Sequence, residues 1–214
     1  DSSVILNTKG EYYPTMKLFV GNGGKVTWER AGLPASQVYA DLRRYRIDVT
    51  GSDFIADSVT FYNKSVFSEP LMGVVSDKLL ANVTEENATY PRFRSYNTNL
   101  QIKELVKDAS YEGGFSMQGS KIIGSGDKYG PARIVFSRNG KPFLIAASQS
   151  FVIRPDRIVA DKTALTIRMD GDSIYHPGVQ IKYISKDKEL TIVRPSGKSA
   201  GTPFYNTFHD VDMY

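Results

Sequence analysis

The chain has 214 residues, 41% apolar and 23% charged, with 13 Tyr, 11 Phe and 1 Trp. That is enough to bury a core, which excludes disorder throughout. Zero cysteines and two histidines exclude disulfides, thiolate metal sites and a Cys nucleophile, and they disfavour His-based chemistry. The net charge of +4 suits mild attraction to anions rather than committed nucleic-acid binding, and no apolar run approaches the length of a membrane-spanning helix.

The chain opens Asp1-Ser2-Ser3 without an initiator Met or an apolar leader, and it closes on the strand-like His209-Asp210-Val211-Asp212-Met213-Tyr214. It therefore reads as a piece of a longer protein, with any signal peptide missing or removed. Gly21-Asn-Gly23-Gly-Lys25 lacks the spacing of a phosphate loop and is followed by Val26, so a turn built on positive-φ glycines is expected. Val26-Thr-Trp28 is the next apolar run. Residues 34–45 are ambiguous: Val38, Leu42 and Tyr45 fall on one helical face, so a short inserted helix is one reading. Asp53-Phe-Ile-Ala-Asp57 leads a long β-like run. Asn63, Asn82 and Asn87 head Asn-x-Ser/Thr triplets, which matter only in a eukaryotic secretory setting.

Tyr90-Pro91-Arg92-Phe93-Arg94-Ser95-Tyr96 interleaves aromatic rings and guanidiniums, a pattern suited to stacking on sugars or bases. Arg92, Arg94 and Tyr96 are the candidate ligand-binding residues; Tyr12, Tyr13 and Tyr111 are weaker ones. Residues 99–106 read as a helical turn or a joining strand. From 132 onwards the chain is a succession of β-branched and aromatic runs, with turn signals at Asn139-Gly140, Arg154-Pro155-Asp156 and His176-Pro177-Gly178. The polar segment 185–188 reads as a hairpin turn.

These runs repeat. Gly21-x-Gly23-x-Lys25 answers Gly124-x-Gly126-x-Lys128, Trp28-Glu-Arg30 answers Phe136-Ser-Arg138, and Asp53 and Asp57 answer Asp156 and Asp161. Pro91-Arg-Phe93 answers Pro203-Phe-Tyr205. The pattern predicts an all-β chain of two tandem units, 1–102 and 103–214. Two arrangements fit: stacking as a β-solenoid or open jelly roll, which the lack of a linker at 99–112 favours, or a pair of β-sandwiches.

A group present in both copies serves folding before chemistry, so Asp53, Asp57, Asp156 and Asp161 read as turn-closing carboxylates rather than a glycosidase pair. Asp170 and Asp172 offer oxygen ligands to a cation, but full calcium-loop spacing is absent, and a plain turn is the stronger reading. His176 and His209 read as surface or turn polar groups. No cofactor and no catalytic residue is expected.

Gly171-Asp172-Ser173-Ile174-Tyr175 followed by Val179-Gln-Ile181-Lys-Tyr183-Ile-Ser-Lys-Asp187-Lys-Glu-Leu190 resembles a rung of the OstA-like, lipopolysaccharide-transport β-jelly-roll family, and Phe54–Phe61 has a similar cadence. The resemblance implies stacked strands around an apolar groove for acyl chains. The chain as a whole resembles parts of large repeat proteins of the Gram-negative envelope, which implies a periplasmic, outer-membrane-associated or cell-surface location. Three functions are thus expected, in this order: a non-enzymatic extracytoplasmic scaffold or binding module within a larger envelope protein; a periplasmic lipid carrier; a carbohydrate-binding or carbohydrate-cleaving domain. The partners expected are lipid, glycan or other segments of the parent protein.

Overall fold

The computed structural model describes residues 5–169, 171–193, 202–206 and 211–213. They form an all-β protein in which every registered strand pairing is antiparallel, with two three-residue 3-10 turns, Pro14–Met16 and Glu29–Ala31, among the described residues. The chain divides into two compact units. Unit 1 comprises residues 1–97 and 115–122, and unit 2 comprises 98–114 and 123–214.

Unit 1 contains β1 (Lys9–Tyr13), β2 (Leu18–Asn22), β3 (Lys25–Thr27), β4 (Val38–Asp41), β5 (Arg44–Asp48), β6 (Asp53–Asn63), β7 (Leu71–Lys78) and β8 (Arg92–Ser95). β3 pairs with β4, β4 and β5 with β6, β6 with β7 and β7 with β8. Of the ambiguous segment 34–45 the helical reading does not hold: Val38–Asp41 and Arg44–Asp48 are strands. Val38, Ala40 and Leu42 are all buried, so the segment follows the two-residue period of a strand and only mimics a helical face. Pairing on both edges of β4 satisfies more backbone than a short isolated helix would.

The core of unit 1 is aromatic. Trp28 meets Phe61 edge-on with ring centroids 5.2 Å apart, Phe61 stacks on Phe93 at 4.0 Å, and Phe67 meets Phe115 at 4.8 Å. Gly73 makes this stack possible: a Cβ there would lie 2.1 Å from the Arg94 carbonyl oxygen and 2.6 Å from the Phe93 ring.

Unit 2 contains β9 (Leu100–Val106), most of β10 (Ala109–Gln118) and β11 (Lys121–Ser125), then β12 (Ala132–Arg138), β13 (Lys141–Ser148), β14 (Ser150–Ile153), β15 (Arg157–Met169), β16 (Asp172–Ile184), β17 (Glu189–Val193), β18 (Phe204–Asn206) and β19 (Val211–Met213). Residues 100–106 are therefore a strand. β12 pairs with β13, β13 and β14 with β15, β15 with β16 and β16 with β17. The turn at 185–188 closes the β16–β17 hairpin, with Lys188 at φ 51°.

Within each unit one long strand carries the same irregularity. β6 bulges against β7 between Ala56 and Val59, with Ser58 at φ 55°. β15 bulges against β16 between Ala160 and Thr163, with Lys162 at φ 49°. Such a bulge leaves residues unpaired and sharpens the twist. Asp57 and Asp161 each precede the left-handed residue, and the Asp57 carboxylate accepts a 2.9 Å bond from the Ser58 N–H.

Two details differ from expectation. Gly23 and Gly24 have positive φ, but Gly124 and Gly126 do not. Gly124 instead gives room to the Tyr111 ring, 2.7 Å from where its Cβ would stand. Phe204–Asn206 does not take on β16 the place that β8 takes on β7. β18 faces Ile174 and Tyr175, and β17 holds the position next to the bulge.

Candidate functional site

Two concave places in unit 1 combine polar and apolar side chains, and they share only β6 and β7. The first is a cup of about 300 Å³ on the core face. Ile5, Phe19, Tyr45, Ile47, Phe54 and Leu79 supply hydrocarbon walls. The alternation that turns Ile55 outward turns Phe54 and Ala56 inward. The deeper polar groups are already bonded: the Thr8 and Tyr45 hydroxyls share a 2.6 Å hydrogen bond. Ser52 and Asp53 stand exposed at the rim, with Lys78 partly buried beside them.

Asp77 lies beneath this cup with its side chain sealed from solvent. It follows Gly73 and Val75 on the inward side of β7, where an apolar residue is the norm. Arg30, on the 3-10 turn after Trp28, donates to both carboxylate oxygens, and the Lys78 N–H adds a 2.8 Å bond. Burial pushes the Asp77 carboxyl up from its ordinary value, while the Arg30 guanidinium pulls it back down.

The second place is the outward face of β6, β7, β8 and the end of β10, a groove of about 310 Å³. Alternation along β8 buries Phe93 and Ser95 and sends Arg92 and Arg94 outward, with Tyr96 exposed just beyond the strand. The three sequence-predicted ligand residues thus share one face. The Arg92 guanidinium stands 4.3 Å over the Tyr90 ring, and its Nε donates to the Thr89 carbonyl at 3.0 Å. The Tyr96 hydroxyl donates to the Asp57 carboxylate.

The remaining candidates scatter. Asp170 lies outside the described residues, as does His209. Asp172 starts β16 and accepts hydrogen bonds from the Ser173 N–H at 2.6 Å and from Asn206 at 2.7 Å. Among the described residues no group of three or more His, Asp or Glu side chains is placed to hold a metal ion. His176 is not a surface group: it is 1% exposed within β16, and its ring meets Phe204 at 4.7 Å. Its Nδ1 accepts from the Gly178 N–H at 3.0 Å and its Nε2 donates to the Thr202 carbonyl at 3.1 Å, so both ring nitrogens serve packing. Tyr111 is buried and donates to the Gly114 carbonyl at 2.5 Å, and burial pushes its hydroxyl pKa up. It is core, whereas Tyr12 and Tyr13 are exposed on β1. Asn63, buried and accepting a bond from the Ser65 hydroxyl, has no access for a glycan.

The sequence reading overlooked Arg30 and Asp77. One signal was present: in the alternating run Gly73-x-Val75-x-Asp77 a carboxylate occupies the core-facing phase. Compared with known proteins, the chain matches no family model, no curated protein and no solved structure. No helix among the described residues is long and apolar enough to cross a membrane.

Proposed function

We propose that this chain is a non-enzymatic binding module, built from one duplicated β block, whose unit 1 takes an apolar ligand segment such as an acyl chain. Duplication is supported by the matching order of pairings around the two bulged strands. Relative to the bulge, Ile55, Ser76 and Arg92 in unit 1 correspond to Val159, Lys182 and Thr191 in unit 2. Shared positions are mostly apolar and serve the core. Side chains that break the correspondence are where a function added to one copy would lie.

The observation that carries the ligand assignment is the cup itself: a hydrocarbon-walled cavity whose deeper polar groups already have partners. Such a wall rewards removal of apolar surface from water at about 25 cal/mol per Å² and asks for no hydrogen bond in return. Its volume sits near the lower end of the roughly 300–1,000 Å³ range of small-molecule sites. In the same reading, the OstA-like resemblance sets the module in the bacterial envelope, where acyl chains are at hand.

A fluorescent acyl probe should bind the folded chain saturably. Ile47→Trp, which places an indole in the wall, should weaken that binding by about tenfold or more while the fold persists. No saturable binding, or unchanged binding in the Ile47→Trp variant, overturns the assignment.

A further inference from the structure

We propose that the outward face of unit 1 binds an acidic polysaccharide laid across its strands. Directly opposed residues of neighbouring strands share a face. The register therefore places Arg46 of β5, Ile55 of β6, Ser76 of β7, Arg92 of β8 and Gln118 of β10 in one row. A second row runs Val74, Arg94, Ser116. Five strands at about 4.8 Å spacing make the first row about 19 Å long.

Charge decides what fits. Arg46, Arg92 and Arg94 form no ion pair with a described residue, and no carboxylate lines the groove between β6 and β10. The acids beside the row are already engaged: Asp57 accepts from Tyr96, Asp53 faces Lys78 across the ladder, Asp48 accepts from Thr50, and Glu11, at the far end of the row, accepts from Tyr13. Arg92 is pre-set, since its stacking on Tyr90 and its Nε bond to Thr89 hold the guanidinium in place. The planar fork of a fixed guanidinium is the group that meets a carboxylate with two parallel bonds.

Between the guanidiniums stand Ser76, Ser116 and Gln118, neutral groups that exchange hydrogen bonds with hydroxyls, and the exposed Ile55, which offers an apolar step. Anionic groups alternating with hydroxyls along an extended chain describe an acidic polysaccharide. A nucleic acid would ask for exposed rings to stack its bases, and the exposed Tyr96 is tied to Asp57. In unit 2 the corresponding positions carry Val152, Thr191 and Val193 in place of Arg46, Arg92 and Arg94. The arginines break the correspondence between the copies, as an added function would.

The test titrates the full chain with alginate, a polyuronate, beside neutral dextran and poly-glutamate, at low and physiological salt. Alginate should bind saturably and more weakly as salt rises, dextran should not bind, and poly-glutamate should bind less tightly than alginate. The Arg92→Ala/Arg94→Ala variant should lose about tenfold or more of the alginate affinity. It should keep its hold on the acyl probe, because no residue of β8 lines the cup. Arg94→Glu, at an exposed side chain bonded to no described residue, should show the same loss if the double variant unfolds. Absence of alginate binding, binding indifferent to these substitutions, or equal or tighter binding of poly-glutamate each overturns the proposal.

Discussion

Arg30→Ala is expected to cost about 3–5 kcal/mol of folding stability at neutral pH, the range for stranding one partner of a buried ion pair. The Asp77 side chain is fully enclosed, whereas that of Arg30 is 40% exposed. Removing the arginine leaves the carboxylate without water and without a countercharge. Removing the carboxylate leaves the guanidinium partly solvated, so Asp77→Asn should cost less. Arg30→Lys keeps the charge but has no second nitrogen to reach the Lys78 carbonyl as Nη1 does while Nη2 holds the carboxylate, and it should fall between wild type and Arg30→Ala.

The effect has a pH signature whose sign follows from the direction of the Asp77 shift. Burial is the largest cause and raises this carboxyl; Arg30 is the opposing influence. Without Arg30 the folded value rises further. A raised acid binds its proton more tightly when folded, so its contribution to stability is fully present below the unfolded carboxyl value. That contribution is lost as pH rises through the folded value. The deficit of Arg30→Ala relative to wild type should therefore be largest at neutral pH and shrink as the solution is acidified towards about pH 4. Urea unfolding at several pH values measures this directly. A deficit that stays constant with pH would mean that Asp77 is not the stranded group.

This pair also shows why part of the molecule was legible in the sequence and part was not. Alternation in Val179-x-Ile181-x-Tyr183 and the turn signal at 185–188 announce a hairpin, because side-chain period and turn chemistry are local properties. The buried Trp28 was legible through its sequence match with Phe136, which is buried too. Arg92, Arg94 and Tyr96 share a face by simple two-residue alternation. Arg30 and Asp77 are 47 residues apart, and only the path of the chain from the 3-10 turn to β7 brings them together. Residues 34–45 misled for a different reason: Val38 and Leu42 satisfy both periods, Tyr45 is buried from the next strand, β5, and pairing of β4 with β3 and β6 decides for strand. His176 sits beside a proline and a glycine, which mark turns in most contexts; here β16 continues through them, and Phe204 covers the ring. The cup was hidden because Ile5, Tyr45, Phe54 and Leu79 come from segments far apart in the chain.

The second large effect is expected at Phe61. Its ring is fully buried, edge-on to Trp28 and stacked on Phe93, with Phe115 at 6.2 Å. Phe61→Ala removes the member common to these contacts and should cost about 3–5 kcal/mol, the lost transfer energy plus that of the cavity left behind. Close packing around Gly73 limits collapse into the space, because that glycine already lies against the Phe93 ring. The corresponding position in unit 2, opposite Ala146 as Phe61 is opposite Ala40, is Leu165. Phe61→Leu supplies the side chain that the same fold position accepts there, and its cost should be smaller, about 1–2 kcal/mol. Trp28 is the sole tryptophan, so its emission reports on this cluster alone. In Phe61→Ala the emission should move to longer wavelength as water gains access to the indole, and the urea midpoint should fall. In Phe61→Leu the emission should stay close to wild type. If Phe61→Ala unfolds at the wild-type midpoint with unchanged Trp28 emission, the aromatic stack is not what holds unit 1 together, and the bulged β6 must draw its stability from backbone pairing instead.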